Sequence, residues 1–283
     1  MSRQGPFETF SEERWFFGGD THGLQGPPGR HVLMAEAAGI AAPPDRPMRI
    51  LEVGSWTGSS ALTWSQAIAR FAPHAGSVMC VDPWTPYMAA EDVAQGGVYA
   101  AMDAMGRDDL AYTLFLHNIR FAAPGVAVEH VRGLSADVLP GLAPASFDLI
   151  YIDGSHYYED VLSDLRMSHH LLRDGGILCG DDLELQASDC DRAFAVQNRH
   201  LDFLQDPRTG RPFHPGVTLA VDEIFGPVTA LYGFWAMRKT ASGYQGVLLR
   251  GENTFVPEHF PDEAKAECAG LLAALREAFQ SRS

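Results

Sequence analysis

Three aspartates and one histidine concentrate the chemistry this chain could perform. Phe147-Asp148-Leu149-Ile150-Tyr151-Ile152-Asp153-Gly154-Ser155-His156 ends an apolar run on Asp153, and Gly176-Ile177-Leu178-Cys179-Gly180-Asp181-Asp182 ends the next on a pair of acids. If the two runs are adjacent parallel strands, their tips lie under about 5 Å apart and the carboxylates share one sheet edge. Gathered carboxylates repel, and a hard divalent cation with oxygen ligands, Mg²⁺ first, relieves the repulsion. Asp153, Asp181 and Asp182 are thus the candidate metal ligands, with His156 at their rim. The competing assignments are a helix cap for Asp181 or Asp182 and a backbone-bonded helix residue for His156.

A second constellation lies upstream. Ile50-Leu51-Glu52-Val53-Gly54-Ser55-Trp56-Thr57-Gly58-Ser59 places an acid near a strand end and glycines two and six residues beyond it. Glycine permits a tight turn and close ligand approach, and the helix that follows offers free N–H groups. The spacing is not the dinucleotide fingerprint, and no phosphate-loop lysine follows, so the loop is not built for pyrophosphate. Asp82, ending Val78-Met79-Cys80-Val81-Asp82, can accept ribose hydroxyl protons, or else it caps a helix.

Glu-x-Gly-x-x-x-Gly resembles the first motif of class I S-adenosylmethionine-dependent methyltransferases. The strings Ile152-Asp153-Gly154-Ser155-His156-Tyr157-Tyr158, Gly175-Gly176-Ile177-Leu178-Cys179-Gly180-Asp181-Asp182 and His214-Pro215-Gly216-Val217 resemble the macrocin O-methyltransferase family of metal-dependent sugar O-methyltransferases, which is related to cephalosporin hydroxylase-like sequences. The resemblance implies cofactor contacts at Glu52, Gly54, Ser55, Thr57, Gly58, Ser59 and Asp82, and adenine contacts at Gly133 and Ser135. It implies metal ligands at Asp153, Asp181 and Asp182. His156 matches a general base, a role that an acid such as Asp153 takes in some relatives. The implied substrate is a small-molecule glycoside. An ion would lower the pKa of a sugar hydroxyl, and His156 would remove its proton.

The elements that must position these residues follow from periodicity. Apolar runs at 49–53, 77–82, 126–133, 148–153 and 176–181 read as strands, and 59–71, 110–121 and 156–172 as amphipathic helices between them. Segments 230–237 and 244–250 form a terminal hairpin, and a glycine turn at 173–176 ends the third helix. The expected fold is α/β and Rossmann-like, a mostly parallel seven-stranded sheet with helices on both faces. Residues 1–47 form an N-terminal cap, 48–250 the cofactor-binding domain, and 251–283 a C-terminal helix. Insertions at 84–107 and 183–215 leave strand carboxyl ends, where open α/β sheets bind ligands, and could shape an acceptor pocket. His214 could touch substrate, whereas Trp15, Phe16 and Phe17 read as a packing anchor and His169-His170 as a helix end.

Composition narrows the classes. With 36 acidic residues against 21 Lys and Arg, a formal charge of −15 disfavours nucleic acid as a partner. Four scattered cysteines in no ligand spacing indicate neither a disulfide framework nor zinc. No run approaches the ~18 apolar residues of a membrane span and no signal peptide is visible, so a cytoplasmic protein is expected, with homo-oligomerisation open. Two rival functions stand beside the first: metal-independent methylation of a small molecule such as a phenol, and non-catalytic nucleotide or sugar binding on a Rossmann-like frame.

Overall fold

A computed structural model describes residues 10–18, 23, 24 and 26–280. In chain order the elements are α1 (Gly29–Ala41), β1 (Met48–Val53), α2 (Ser59–Phe71), β2 (Gly76–Asp82), α3 (Ala90–Val93), α4 (Gly97–Arg107), α5 (Leu110–Asn118), β3 (Val126–Arg132), α6 (Ser135–Val138), β4 (Phe147–Ile152), α7 (Tyr158–Leu171), β5 (Leu172–Gly180), α8 (Arg192–Gln197), β6 (Leu204–Gln205), β7 (Pro212–Phe213), α9 (Pro215–Phe225), β8 (Ala230–Leu231), β9 (Phe234–Thr240), β10 (Gly243–Gly246) and α10 (Asp262–Gln280). The main sheet runs β10-β9-β5-β4-β1-β2-β3. Strands β3, β2, β1, β4 and β5 are parallel, and β9 and β10 antiparallel. The expected seven-stranded path is present, with the two-residue β8 added beside β9.

Alternation along the strands builds two cores. Ile50, Val78, Leu149, Tyr151 and Ile177 face a layer containing Leu33 and Met34 of α1, Trp64 and Ile68 of α2, and Phe115 of α5. Their neighbours Leu51, Val53, Ile150, Ile152 and Leu178 face Val161 and Leu165 of α7 and Val217 and Val221 of α9. A period of two on a sheet covered on both sides requires this split.

The segment before β1 contributes a helix to the core: α1 buries Val32, Leu33, Met34, Ala37 and Ala38 completely. Two expectations change. No glycine turn ends α7, because Leu172 already begins β5 and the register moves from Phe147 opposite Leu172 to Leu149 opposite Ile177. Two steps on β4 therefore match five on β5, and the extra residues around Gly175, at φ +81°, bulge out of the ladder. The hairpin strand β10 stops at Gly246, so 247–250 leave the sheet. Insertion 84–107 folds as α3 and α4, and insertion 183–215 as α8 and the β6–β7 hairpin. All four cysteines are free and buried. Among the described residues no helix is long and apolar enough to cross a membrane.

Candidate active site

The turn from β1 into α2 is pressed against the tip of β4. Gly54 has φ +84°, and a Cβ there would lie 2.0 Å from the Asp153 carbonyl oxygen, so only glycine fits. Beneath the turn, Glu52 is fully buried and accepts hydrogen bonds from Ser55 Oγ at 2.6 Å and Trp64 Nε1 at 3.0 Å. Burial raises its pKa although these donors oppose the shift. Glu52 thus supports the loop from beneath and does not line the cavity described below.

Asp82 holds the same loop from the side. Its Oδ2 accepts from the backbone N–H groups of Ser55 (2.8 Å) and Trp56 (3.0 Å), and its Oδ1 from that of Trp84 (2.6 Å). An ionised carboxylate accepts about four hydrogen bonds, so one position remains for a ligand hydroxyl rather than two. Gly54, Ser55, Thr57, Ser59, Asp82 and Ser135 line one continuous cavity of about 600 Å³. Gly58 and Gly133 do not line it: Gly58 lies against Phe115, and a Cβ on Gly133 would meet Val138. Asp164, buried beside Ser135 at that end, has its pKa pushed up to about 7 by burial.

At the other end the acids converge, but not as one triad. Arg30, from the first turn of α1, pairs with Asp181 Oδ2 and stands 3.6 Å from Asp153 Oδ2, which also accepts from Tyr151 Oη at 2.8 Å. Asp181 therefore already has a cation and belongs to none of the side-chain groups that could hold a metal ion. The residue expected as a third metal ligand is here the partner of Arg30. Repulsion between these strand-tip acids is relieved there by a guanidinium. Asp181 Oδ1 and Arg30 Nε remain buried without hydrogen-bond partners.

Asp182 turns the other way, at φ +62°, a strained conformation for a non-glycine residue and one found preferentially at functional sites. Its Oδ2 lies 3.1 Å from His156 Nε2 and its Oδ1 3.9 Å from His214 Nδ1. His156 Nδ1 is 2.6 Å from Asp202 Oδ1, and His214 Nδ1 is 3.1 Å from Glu184 Oε1. Burial opposes charge on His156, yet Asp202 and Asp182 together hold its pKa well above the ordinary histidine value. Burial likewise disfavours ionised Asp182, but the two histidines keep it well below the usual carboxylate range. Burial raises the pKa of Asp153. Asp182 is common to two groups with metal-ligand spacing, one with Asp153 and His156 and the other with Glu184 and His214.

Strand order arranges the cavity. Asp82 ends β2, the glycine turn follows β1, and Asp153 and Asp182 follow β4 and β5, so the cavity runs from Ser135 to Asp182 along the sheet edge. The two insertions wall the acidic end with Tyr87, Met88, Tyr99, Met102 and Phe203. Sequence reasoning missed Arg30, Glu184 and Asp202. Arg30 lies in the segment ahead of the first strand, where no motif marks it, and the other two lie in an irregular insertion that carries no periodic signal. His214 does reach the site, with the Phe203 ring 4.6 Å from its own.

A family model described as a methyltransferase domain matches residues 51–183. O-methyltransferase ankF of Aspergillus thermomutatus is 28% identical over 152 residues, covering 53% of this chain and 52% of that protein. The chain thus spans about half the length of that curated relative. An uncharacterized mimivirus protein of Acanthamoeba polyphaga mimivirus, R132, is 29% identical over 72 residues, covering 24% of this chain and 33% of that one. Among solved structures, a Corynebacterium glutamicum protein gives a TM-score of 0.49 at 16% identity, covering 77% of this chain and 84% of that one. The O-methyltransferase NovP gives 0.48 at 15%, covering 75% and 80%.

Proposed function

We propose that this chain is an S-adenosylmethionine-dependent O-methyltransferase that uses a divalent cation, Mg²⁺ first, and methylates a sugar hydroxyl of a glycosylated small molecule in the manner of the macrocin-type enzymes. The observation that carries the reading is the single cavity joining the Gly54 turn, Asp82 and Ser135 to Asp153, His156 and Asp182. Its volume, about 600 Å³, falls within the range of small-molecule sites. The methyltransferase-domain match over 51–183 and the similarity to ankF support the reaction class.

The donor set suits both groups. The uncapped start of α2 leaves backbone N–H groups for the cofactor, and Asp82 keeps one acceptor for a ribose hydroxyl. S-adenosylmethionine supplies an electrophilic methyl on a sulfonium centre. Asp153 and Asp182, with His156 beside them, have the spacing to hold a cation. A divalent ion at that position lowers the pKa of a hydroxyl in contact with it.

The chain's own residues manage the proton. Asp202 fixes His156 through Nδ1, so that Nε2, which faces Asp182, is the nitrogen that would take the hydroxyl proton. This is the orienting role an acid plays toward a histidine base in hydrolase triads. Tyr87, Tyr99 and Phe203 line the acidic end and offer ring faces on which a sugar can stack. The test is transfer of labelled methyl from S-adenosylmethionine to a glycoside panel, with and without EDTA. Undiminished transfer in EDTA refutes the cation, and transfer only to phenols refutes the sugar.

A further inference from the structure

Two residues past Asp182 the chain delivers another acid to the same end of the cavity. Burial alternates after β5: Leu183 and Leu185 are buried in the core, while Asp182 and Glu184 both line the cavity. His214 joins them from the start of α9. Pro215 opens that helix, and a Cβ on Gly216 would overlap the His156 carbonyl oxygen, so glycine lets the first turn press against the His156 backbone. The contact sets the two imidazoles side by side, with ring centroids 4.5 Å apart.

Asp182 divides its oxygens between these rings. Oδ2 lies 3.1 Å from His156 Nε2, and Oδ1 lies 3.9 Å from His214 Nδ1. The longer contact exceeds a hydrogen bond, so Oδ1 has no hydrogen-bond donor among the described residues. Both oxygens of Glu184 face the same His214 Nδ1, at 3.1 and 3.2 Å. Ligand atoms of Asp182, Glu184 and His214 lie within 4.8 Å of one another, as do those of Asp153, His156 and Asp182. A carboxylate that turns one oxygen toward each of two such groups has the form of a bridge. Charge points the same way. Asp153, Asp182, Glu184 and Asp202 bring four carboxylates to this end, and Arg30, the one Lys or Arg among the described lining residues, is already paired with Asp181. One divalent ion offsets two of these charges, and a second offsets the remainder.

We propose that Asp182, Glu184 and His214 form a second divalent-cation site, joined through Asp182 to the ion at Asp153. The inference rests on the cation of the methyl-transfer reading and adds an ion to it. The two sites differ in chemistry. Asp153 and Asp182 offer oxygen alone, which suits Mg²⁺, because His156 is kept for the proton. An imidazole in the second set suits a first-row transition ion. Paired ions of this kind stand about 3.5–4 Å apart and can hold two oxygens of one acceptor.

Titrating the metal-stripped chain with Mn²⁺, followed by calorimetry and electron paramagnetic resonance, counts the ions without any need for an acceptor. Wild type should bind two per chain, and excess Mg²⁺ should displace one. Glu184→Gln and His214→Ala should each bind one, which Mg²⁺ displaces. Asp153→Asn should also bind one, which Mg²⁺ leaves in place. Unchanged circular dichroism and S-adenosylhomocysteine affinity within about twofold of wild type show that each variant is folded. Two ions retained by both Glu184→Gln and His214→Ala overturn the second site. A single ion in wild type overturns it as well if Asp153→Asn abolishes binding, and overturns the first placement instead if only Glu184→Gln does. Displacement of both ions by Mg²⁺, or of neither, overturns the assignment of a transition ion to one of them. No bound Mn²⁺ overturns both sites and with them the cation of the proposed function.

Discussion

His156 has a carboxylate at each ring nitrogen, Asp202 at Nδ1 and Asp182 at Nε2. A base must be neutral to accept a proton, so activity should rise with pH through the His156 pKa, which these acids hold above its ordinary value. Asp202→Asn removes one of them. Its rising limb should move to lower pH and its maximal rate should fall about ten- to a hundredfold, as measured in a pH–rate profile. An unmoved limb would remove Asp202 from the mechanism. Asp164 makes a separate prediction about stability. Its folded pKa, about 7, lies above the ordinary 3.8, so the folded state binds the proton more tightly. Stability is unimpaired below the unfolded value and falls as pH rises from about 4 toward 7. Asp164→Asn should therefore be more stable to denaturant than wild type at pH 8, by at most about 4 kcal/mol, with the difference vanishing near pH 4. Asp153, His156 and Asp182 were legible because strand ends announce themselves in an apolar pattern. Asp202 and Glu184 were not, since nothing local in an irregular insertion says where its side chains return.

At the scale of elements, α1 joins fold and site. Its apolar residues complete the core under β1, and Arg30 at its start sets the charge of the strand tips. Leu33→Ala should cost about 2–5 kcal/mol in denaturant unfolding, the usual range for a buried leucine. Arg30→Ala should cost about 3–5 kcal/mol, because Asp181 would keep a buried charge with no counter-ion. The turn before α2 gives a sharper outcome. Gly54→Ala places a methyl group against the Asp153 carbonyl and should abolish S-adenosylhomocysteine binding. Helix α2 was readable to the residue, since Ser59–Phe71 coincides with its expected span. The end of α7 was not, because two glycines that read as a helix stop serve a bulge in β5. Which cation Asp181 meets was equally hidden: a sequence shows that acids converge but not which side chain arrives from 151 positions away.

Across the whole molecule, the formal charge of −15 is concentrated where it matters: seven residues lining the cavity are acidic, and Arg30 is the one Lys or Arg among its described lining residues. Such a field would favour a cationic cofactor and a metal ion and disfavour an acceptor bearing phosphates. The order of strand tips lays out the rest, from Ser135 after β3 to Asp182 after β5. The most direct test is a crystal structure of the chain with S-adenosylhomocysteine. The expected result is adenine near Ser135, a ribose hydroxyl on Asp82 and the sulfur facing His156 and Asp153. A nucleoside bound elsewhere, or lying with its sulfur at the Ser135 end, would contradict it.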